Sequence, residues 1–97
     1  MIASFRDRGT EDLFNGVRSR AASKTIPAEL AKKAQRRMAM IDAAVRLEDL
    51  GYPPGNQLEA LRLDRAGQHS IRINGQYRVC FTWTALGAED VEVVDYH

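Results

Sequence analysis

The chain has 97 residues, a formal net charge of +1 and one cysteine, Cys80. This length supports a single domain with one modest core, so residues 1–97 are assigned to one domain. A lone cysteine excludes an internal disulfide, and no Cys/His spacing indicates a metal site, so no cofactor is expected. No apolar stretch is long enough for a signal peptide or a membrane span, and we expect a cytoplasmic protein.

Charge is distributed unevenly along the chain. Residues 1–46 contain ten Lys/Arg and five Asp/Glu, whereas residues 47–97 contain four Arg and eight Asp/Glu. A basic half on a nearly neutral protein can bind phosphate groups or an acidic partner. It can equally be the solvated face of a helix.

The pattern of residues 1–25 predicts little regular structure. Residues 1–5 are predicted to form a short strand. A brief helix is predicted to open at Gly9-Thr10, with Thr10 as its N-cap. Residues 15–25 are small and polar, which is typical of a connection.

A longer helix is predicted after Pro27, which suits a first helical turn. Apolar residues then recur at helical spacing and mark one buried face, namely Leu30, Ala34, Met38, Ile41 and Val45. Four cations lie off that stripe in two i,i+4 pairs, namely Lys32, Lys33, Arg36 and Arg37. Like charges at this spacing repel mildly, so an acidic partner or nucleic acid would relieve the repulsion. A solvated face remains the alternative.

Everything after the Pro53-Pro54-Gly55-Asn56 breaker predicts strands and turns. The predicted strands are 58–63, 69–73, 77–83 and 90–96, with a hairpin turn at Asn74-Gly75. Strands joined by short turns form an antiparallel meander, and the earlier helices must cover one of its faces. The predicted fold class is therefore α+β, a small antiparallel sheet packed against N-terminal helices.

Strand alternation assigns side chains to the two faces of this sheet. Ile71 and Ile73 are expected to face inward together with Tyr77, Val79 and Phe81. The residues expected to point to the other face are Ser70, Arg72, Arg78, Cys80 and Thr82. Cys80 lies within an apolar run and is expected to be a small buried residue.

Arg78 is unusual because it lies in an otherwise apolar strand, where a charge costs desolvation unless it is paired. Two interpretations are open at this point. It could form an ion pair across the sheet with Asp95 or Glu92, or it could be a guanidinium clamp for phosphate.

The segment Asp95-Tyr96-His97 places three proton-handling side chains after a β-branched strand. Such groups can serve acid–base chemistry near neutral pH, and a polar strand end exposed to water is the alternative. Alternation places Asp95 and His97 on one face and Tyr96 on the other. A shared role for Tyr96 and His97 would then require the last residue to leave the sheet.

Several stretches together resemble the RelE/ParE toxin superfamily, and most closely its HigB-like branch. They are residues 1–5, Pro53–Leu61, Gly67–Asn74, Tyr77–Trp83 and Val91–His97. The resemblance implies a RelE-like fold and a toxin of a type II toxin–antitoxin system. It further implies a ribosome-dependent mRNA endonuclease that uses the ribose 2′-hydroxyl as nucleophile and needs no metal. The implied partners are the ribosome with mRNA in its A site and a HigA-like helix-turn-helix antitoxin, which alone would contact operator DNA.

The resemblance also assigns roles to residues. Arg78 matches the arginine that stabilises the transition-state phosphate, Tyr96 and His97 match a terminal pair for orientation and proton transfer, and Asp95 matches the acidic residue beside them. Arg62 stands where the family usually has a lysine, and an arginine is a good electrostatic clamp but a poor general base. Arg72 would be a second cation or a partner for Asp95. Arg65 and the helix cations Lys32, Lys33, Arg36 and Arg37 would contact RNA phosphates.

Departures from the family pattern keep other functions open. Leu63 replaces a common glycine, and His69 and Tyr77 occupy positions often held by tryptophan. His69 is expected to be a polar surface residue, or else an additional titratable group near the cleft. The alternatives to an mRNA endonuclease are a ParE-type gyrase inhibitor and a weakly active toxin that mainly binds its antitoxin.

Overall fold

The computed structural model describes residues 1–96, which form three α-helices and four strands. The helices are α1 (Arg8–Asn15), α2 (Arg20–Thr25) and α3 (Ala31–Ala43), and the strands are β1 (Glu59–Ala60), β2 (His69–Arg72), β3 (Tyr77–Thr84) and β4 (Gly87–Asp95). None of these helices is long and apolar enough to cross a membrane. The α+β class predicted from the sequence is confirmed.

The four strands form one antiparallel sheet in the order β1-β2-β3-β4, so the predicted meander is confirmed. Ile71 pairs with Val79, and Val79 pairs with Val93, which places these three side chains on one face. They join Met38 and Ile41 of α3 in the hydrophobic core. The helices therefore cover one face of the sheet and leave the other face to polar side chains.

Residues 2–5 lie beside β4 and close the edge of the sheet. Ile2 bridges to Ala88 and Phe5 to Val91, both in parallel orientation. Farther along the same edge, the buried hydroxyl of Thr10 accepts a hydrogen bond from the Val93 amide at 3.1 Å. The predicted first strand is thus an extended segment held by two bridges. Its pairing removes unpaired backbone groups that would otherwise promote aggregation.

The N-terminal helices differ in two ways from the prediction. Asp7, and not Thr10, caps α1, because its carboxylate accepts a hydrogen bond from the Thr10 amide at 2.8 Å. The predicted connection over residues 15–25 contains a second helix, α2, whose N-cap Ser19 accepts from the Ala22 amide. The Ser19 hydroxyl also donates to Asp12 of α1 at 2.6 Å, which ties the two helices together.

The helix after Pro27 begins with a 3-10 turn, Ala28–Leu30, and continues as α3. Ala34, Met38 and Ile41 are fully buried, as the stripe predicts. Val45 is the exception, because α3 ends at Ala43 and Val45 is 84% exposed. The predicted fifth turn is therefore wrong.

Two further segments after Pro53 are less regular than predicted. The strand expected over 58–63 is reduced to the two residues of β1, and a 3-10 turn, Leu63–Arg65, follows. At the predicted Asn74-Gly75 hairpin, the Asn74 side chain accepts hydrogen bonds from the amides of Gln76 and Tyr77. Neither turn residue has a positive φ, so the side chain of Asn74 organises the turn in place of a two-residue primed turn.

The close contact at Gly87 predicts that a larger residue there destabilises the edge of the sheet that residues 2–5 close. Its φ is +112°, and an added Cβ would lie 2.2 Å from the Met1 carbonyl oxygen, which accepts from the Ala88 amide. We expect Gly87→Ala to destabilise the fold by about 2–4 kcal/mol, since it adds a collision to the backbone strain. Gly67→Ala is the matched control, because Gly67 has φ +94° and open space around it, so only strain of about 1 kcal/mol is added. Equal losses in urea unfolding would contradict the role of the close contact.

Candidate active site

A cleft opens on the polar side of the sheet, between the β1 region and the end of β4. Its walls are residues 59–65 and residues 94–96, and its volume is about 710 Å³. The charged residues of these walls are Glu59, Arg62, Asp64, Arg65 and Asp95. The cleft thus has both cations and carboxylates at its mouth.

Arg78 lies beside this cleft and is held by neutral oxygen atoms. Its Nε donates to the Ser70 hydroxyl at 2.7 Å, and its Nη2 donates to the Gln57 carbonyl at 2.6 Å. A weaker contact joins Nη2 to the Ser70 carbonyl at 3.5 Å. Gln57 has a left-handed backbone, with φ 45°, which is the conformation in which its carbonyl accepts from Arg78.

No carboxylate within residues 1–96 forms an ion pair with Arg78. Of the two interpretations left open for Arg78, the ion pair with Asp95 or Glu92 is therefore wrong. Instead, the Arg78 Cζ lies 5.9 Å from the centre of the Tyr96 ring, a cation–π distance. Arg78 keeps its positive charge available on the cleft side of the sheet.

Glu92 is engaged elsewhere on the same face. Its carboxylate is 3.4 Å from Nη1 of Arg65 and 3.8 Å from Nε of Arg6. Arg65 also donates to Gln68 at 3.1 Å. Arg65 lines the cleft, and its guanidinium is partly committed to these contacts, whereas its predicted contact with RNA stays a prediction.

Arg62 and Leu63 form the outer wall of the cleft, and both are exposed. Leu63 is 91% exposed and has φ 56°, a left-handed conformation that favours glycine. This is the position at which the resemblance expects a glycine. The loop therefore keeps a glycine-like backbone although a leucine occupies it.

The cleft also brings together Asp95 and Tyr96, two of the predicted catalytic residues. Asp95 pairs with Tyr77 in the sheet register, and its carboxylate accepts a hydrogen bond from the side-chain Nε2 of Gln76 at 3.1 Å. Arg72 pairs with Arg78, on the opposite face from the Tyr77–Asp95 pair, so the suggested Arg72–Asp95 ion pair is wrong. His97 lies outside the described residues.

The four helix cations do not line the cleft, because α3 packs on the covered face of the sheet. Arg37 has a structural contact, since its Nε donates to the Arg72 carbonyl at 3.0 Å. Lys32 and Arg36 are exposed and Lys33 is half-buried. Their binding to RNA stays a prediction.

Residues 3–97 match a family model described as the RelE-like toxin of the type II toxin–antitoxin system HigB. The chain belongs to the HigB-like toxin family. Among curated proteins, it is 34% identical over 83 residues to Toxin HigB-1 of Vibrio cholerae, covering 86% of this chain and 84% of that one. It is 28% identical to Endoribonuclease HigB of Proteus vulgaris over the full length of both chains.

A solved structure supports the same fold for this HigB-like chain. The YoeB–YefM complex from Staphylococcus aureus superimposes with a TM-score of 0.61 over 100% of this chain and 98% of the matched chain. Sequence identity is 18%, so the likeness concerns the fold alone.

Cys80 is buried and lies on the cleft face of the HigB-like sheet, both as predicted, and it pairs in register with Ser70 and Glu92. Burial raises the pKa of its thiol from 9.0 to about 11, an effect that Arg65 opposes. The thiol is thus protonated and poorly nucleophilic near neutral pH.

This shift predicts how stability depends on pH. The unfolded chain loses the thiol proton near pH 9 and the folded chain near pH 11, so the folded state binds more protons in between. Stability linked to Cys80 is therefore fully present below pH 9 and is lost as pH rises towards about 11. We expect Cys80→Ser to flatten this part of the urea-unfolding profile. An unchanged slope between pH 9 and 11 would contradict the prediction.

His69 differs from the polar surface residue that the sequence predicts. It pairs with Phe81 on the helix-covered face, and the two rings stack with centroids 6.4 Å apart. It is thus half-buried and not a plain surface residue, and it does not line the cleft, although its register partner Ala60 does.

Sequence reasoning missed the two groups that hold Arg78. Ser70 was placed on the correct face, but nothing in its type marks it as a partner for arginine. The Gln57 contact is a backbone carbonyl, which no side-chain pattern reveals. The available signal was the register, which makes Ser70 a diagonal neighbour of Arg78.

Proposed function

We propose that this HigB-like toxin is a ribosome-dependent mRNA endonuclease that inhibits translation. The observation that carries the proposal is the Arg78 guanidinium, which is fixed by neutral oxygens at the side of a cleft lined by Tyr96. A fixed cation that no carboxylate of residues 1–96 neutralises suits the negative charge that develops on phosphate during strand cleavage. The family membership and the relative named Endoribonuclease HigB support the same activity.

The proposed reaction is attack of the ribose 2′-hydroxyl on the adjacent phosphate. The 2′-oxygen forms a bond to phosphorus, the bond to the leaving 5′-oxygen breaks, and a cyclic phosphate and a 5′-hydroxyl result. In this proposal Arg78 stabilises the phosphorane, Arg62 adds positive potential, and the terminal groups Asp95, Tyr96 and His97 orient the substrate and move protons. The chemistry requires no metal ion.

The remaining cations would hold the RNA and the ribosome. Arg72 lies beside Arg78 on the cleft face, and Arg65 lines the cleft. The exposed α3 cations would contact ribosomal RNA phosphates, which makes binding strongly dependent on salt. A helix-turn-helix antitoxin of the HigA type is the proposed partner, and the cytoplasm is the proposed location. Contact with operator DNA would occur only through that antitoxin.

Programmed ribosomes provide the test of this function. Purified toxin is added to an mRNA either free or positioned on ribosomes, and new 5′ ends are mapped by primer extension. We expect cuts within codons on the ribosome and little cleavage of free mRNA. Ligation of an adaptor to the new 5′ ends should require prior phosphorylation, because 2′-hydroxyl attack leaves a 5′-hydroxyl.

Other outcomes would point to the alternatives. Inhibition of gyrase supercoiling without RNA cleavage would indicate a ParE-type toxin, which the family match does not favour. Absence of both activities, with retained binding of a co-expressed antitoxin, would indicate a weakly active toxin. Either result would overturn the proposed endonuclease.

A further inference from the structure

The register of the sheet places Ser70 and Arg78 on the same face. Ser70 pairs with Cys80, and Arg78 lies two residues before Cys80 on β3. The two are therefore diagonal neighbours, a separation that a long arginine side chain spans. Ser70 is fully buried, and its hydroxyl accepts from the Arg78 Nε at 2.7 Å.

The contacts of Arg78 divide its guanidinium into two ends. Nε and Nη2 donate to Ser70 and to the Gln57 carbonyl. Nη1 has no acceptor among residues 1–96, so its two N–H groups remain available. The group is thus held along one edge, and the Nη1 N–H groups on the other side can donate to a phosphate oxygen.

The chemical type of the holding groups also matters. A carboxylate at position 70 would fix the guanidinium equally well but would neutralise its charge. A hydroxyl and a peptide carbonyl fix it and leave the charge for the substrate. The nearby carboxylate of Glu92 is occupied by Arg65 and Arg6.

We propose that Ser70 is a positioning residue for the reaction, which orients the Arg78 guanidinium towards the scissile phosphate together with the Gln57 carbonyl. The inference rests on the proposed endonuclease function. Its effect belongs to the cleavage step, because an arginine displaced by about 1 Å still attracts RNA but no longer matches the transition state.

The kinetic test uses ribosome-bound mRNA under single-turnover conditions. We expect Ser70→Ala to lower the cleavage rate at saturating toxin by about 10- to 100-fold, with half-saturation changed by less than about threefold. Ser70→Thr retains the hydroxyl and should restore the rate to within about threefold of the parent. Thr82→Ala removes another hydroxyl from the same face, and we expect no change.

A double-mutant cycle separates positioning from a general structural effect. In an Arg78→Lys background the guanidinium fork is absent, so adding Ser70→Ala should change the remaining rate by less than about twofold. The same 10- to 100-fold loss in both backgrounds would overturn the proposal. An unchanged rate for Ser70→Ala alone would also overturn it. Thermal unfolding of each variant shows whether a loss reflects unfolding.

A measurement that needs no activity separates this inference from the proposed function. The Arg78 Nε–H signal in a ¹H–¹⁵N spectrum should exchange slowly with solvent in the parent protein and quickly in Ser70→Ala. Unchanged exchange would show that Ser70 does not hold the guanidinium, and would overturn the inference. If the parent protein cuts no mRNA, the proposed function fails, and with it the positioning role of Ser70 in the reaction, whatever the exchange rates are.

Discussion

Arg78→Ala is expected to lower the rate of mRNA cleavage on the ribosome by about 100- to 1000-fold, the usual cost of losing a donor to transition-state charge. The same change should abolish growth inhibition when the toxin is expressed without antitoxin. The reason is that Arg78 lies beside Tyr96 with its charge uncompensated by any carboxylate of residues 1–96. Primer extension on programmed ribosomes measures the rate.

Two further variants test whether the loss of cleavage is specific to the guanidinium of Arg78. Arg78→Lys keeps the charge but loses the fork held by Ser70 and Gln57, so its rate should lie between those of the parent and Arg78→Ala. Arg20→Ala removes the same side chain from the exposed surface of α2 and should leave cleavage unchanged. If Arg78→Ala cuts mRNA at the parental rate while folded, Arg78 has no catalytic role.

Met38→Ala is expected to destabilise the fold by about 2–5 kcal/mol, since Met38 is fully buried between α3 and the sheet. For a chain of this size each kcal/mol lowers the melting temperature by about 4–8 °C, so the shift is large. Val45→Ala removes another residue of the same predicted stripe. Because Val45 is 84% exposed, that change should stay within about 0.5 kcal/mol.

Calorimetry or urea unfolding of the two variants decides between sequence pattern and structure. The pattern alone predicts that both residues are buried and that both substitutions are costly. The structure predicts a cost at Met38 only. A loss of several kcal/mol for Val45→Ala would mean that Val45 is buried and that α3 extends beyond Ala43.

The parts of the fold that could be predicted are those set by long periodic patterns. Alternation along β3 placed Val79 and Arg78 on opposite faces, and the α3 stripe identified Met38 and Ile41 as buried. α2 was missed because six small and polar residues carry no apolar period. Its position depends on tertiary contact instead. An added Cβ on Gly9 of α1 would lie 2.0 Å from the Thr25 hydroxyl of α2, so only glycine permits this approach.

The sequence identified candidate side chains of the site but not the groups that hold Arg78 in place. Alternation assigned Arg78 and Tyr96 to faces of their own strands, and the structure brings the two side chains to a cation–π distance. The partners of Arg78 could not be predicted, because a charge in an apolar strand suggests a carboxylate partner before a hydroxyl or a peptide carbonyl. Glu92 does not pair with Arg78 because its carboxylate already contacts Arg65 and Arg6. These two arginines are distant from Glu92 in sequence, so strand alternation does not predict the contacts.

The parallel pairing of residues 2–5 with β4 sets an order of events during synthesis. The backbone partners of Ala3 and Arg6 are Ala88 and Val91, so the first segment must wait for one of the last strands before it can pair. Contacts so distant in sequence form late and slowly. The cleft has the same dependence, because Tyr96 is part of its wall. A nascent chain therefore cannot complete the cleft until synthesis has passed β4.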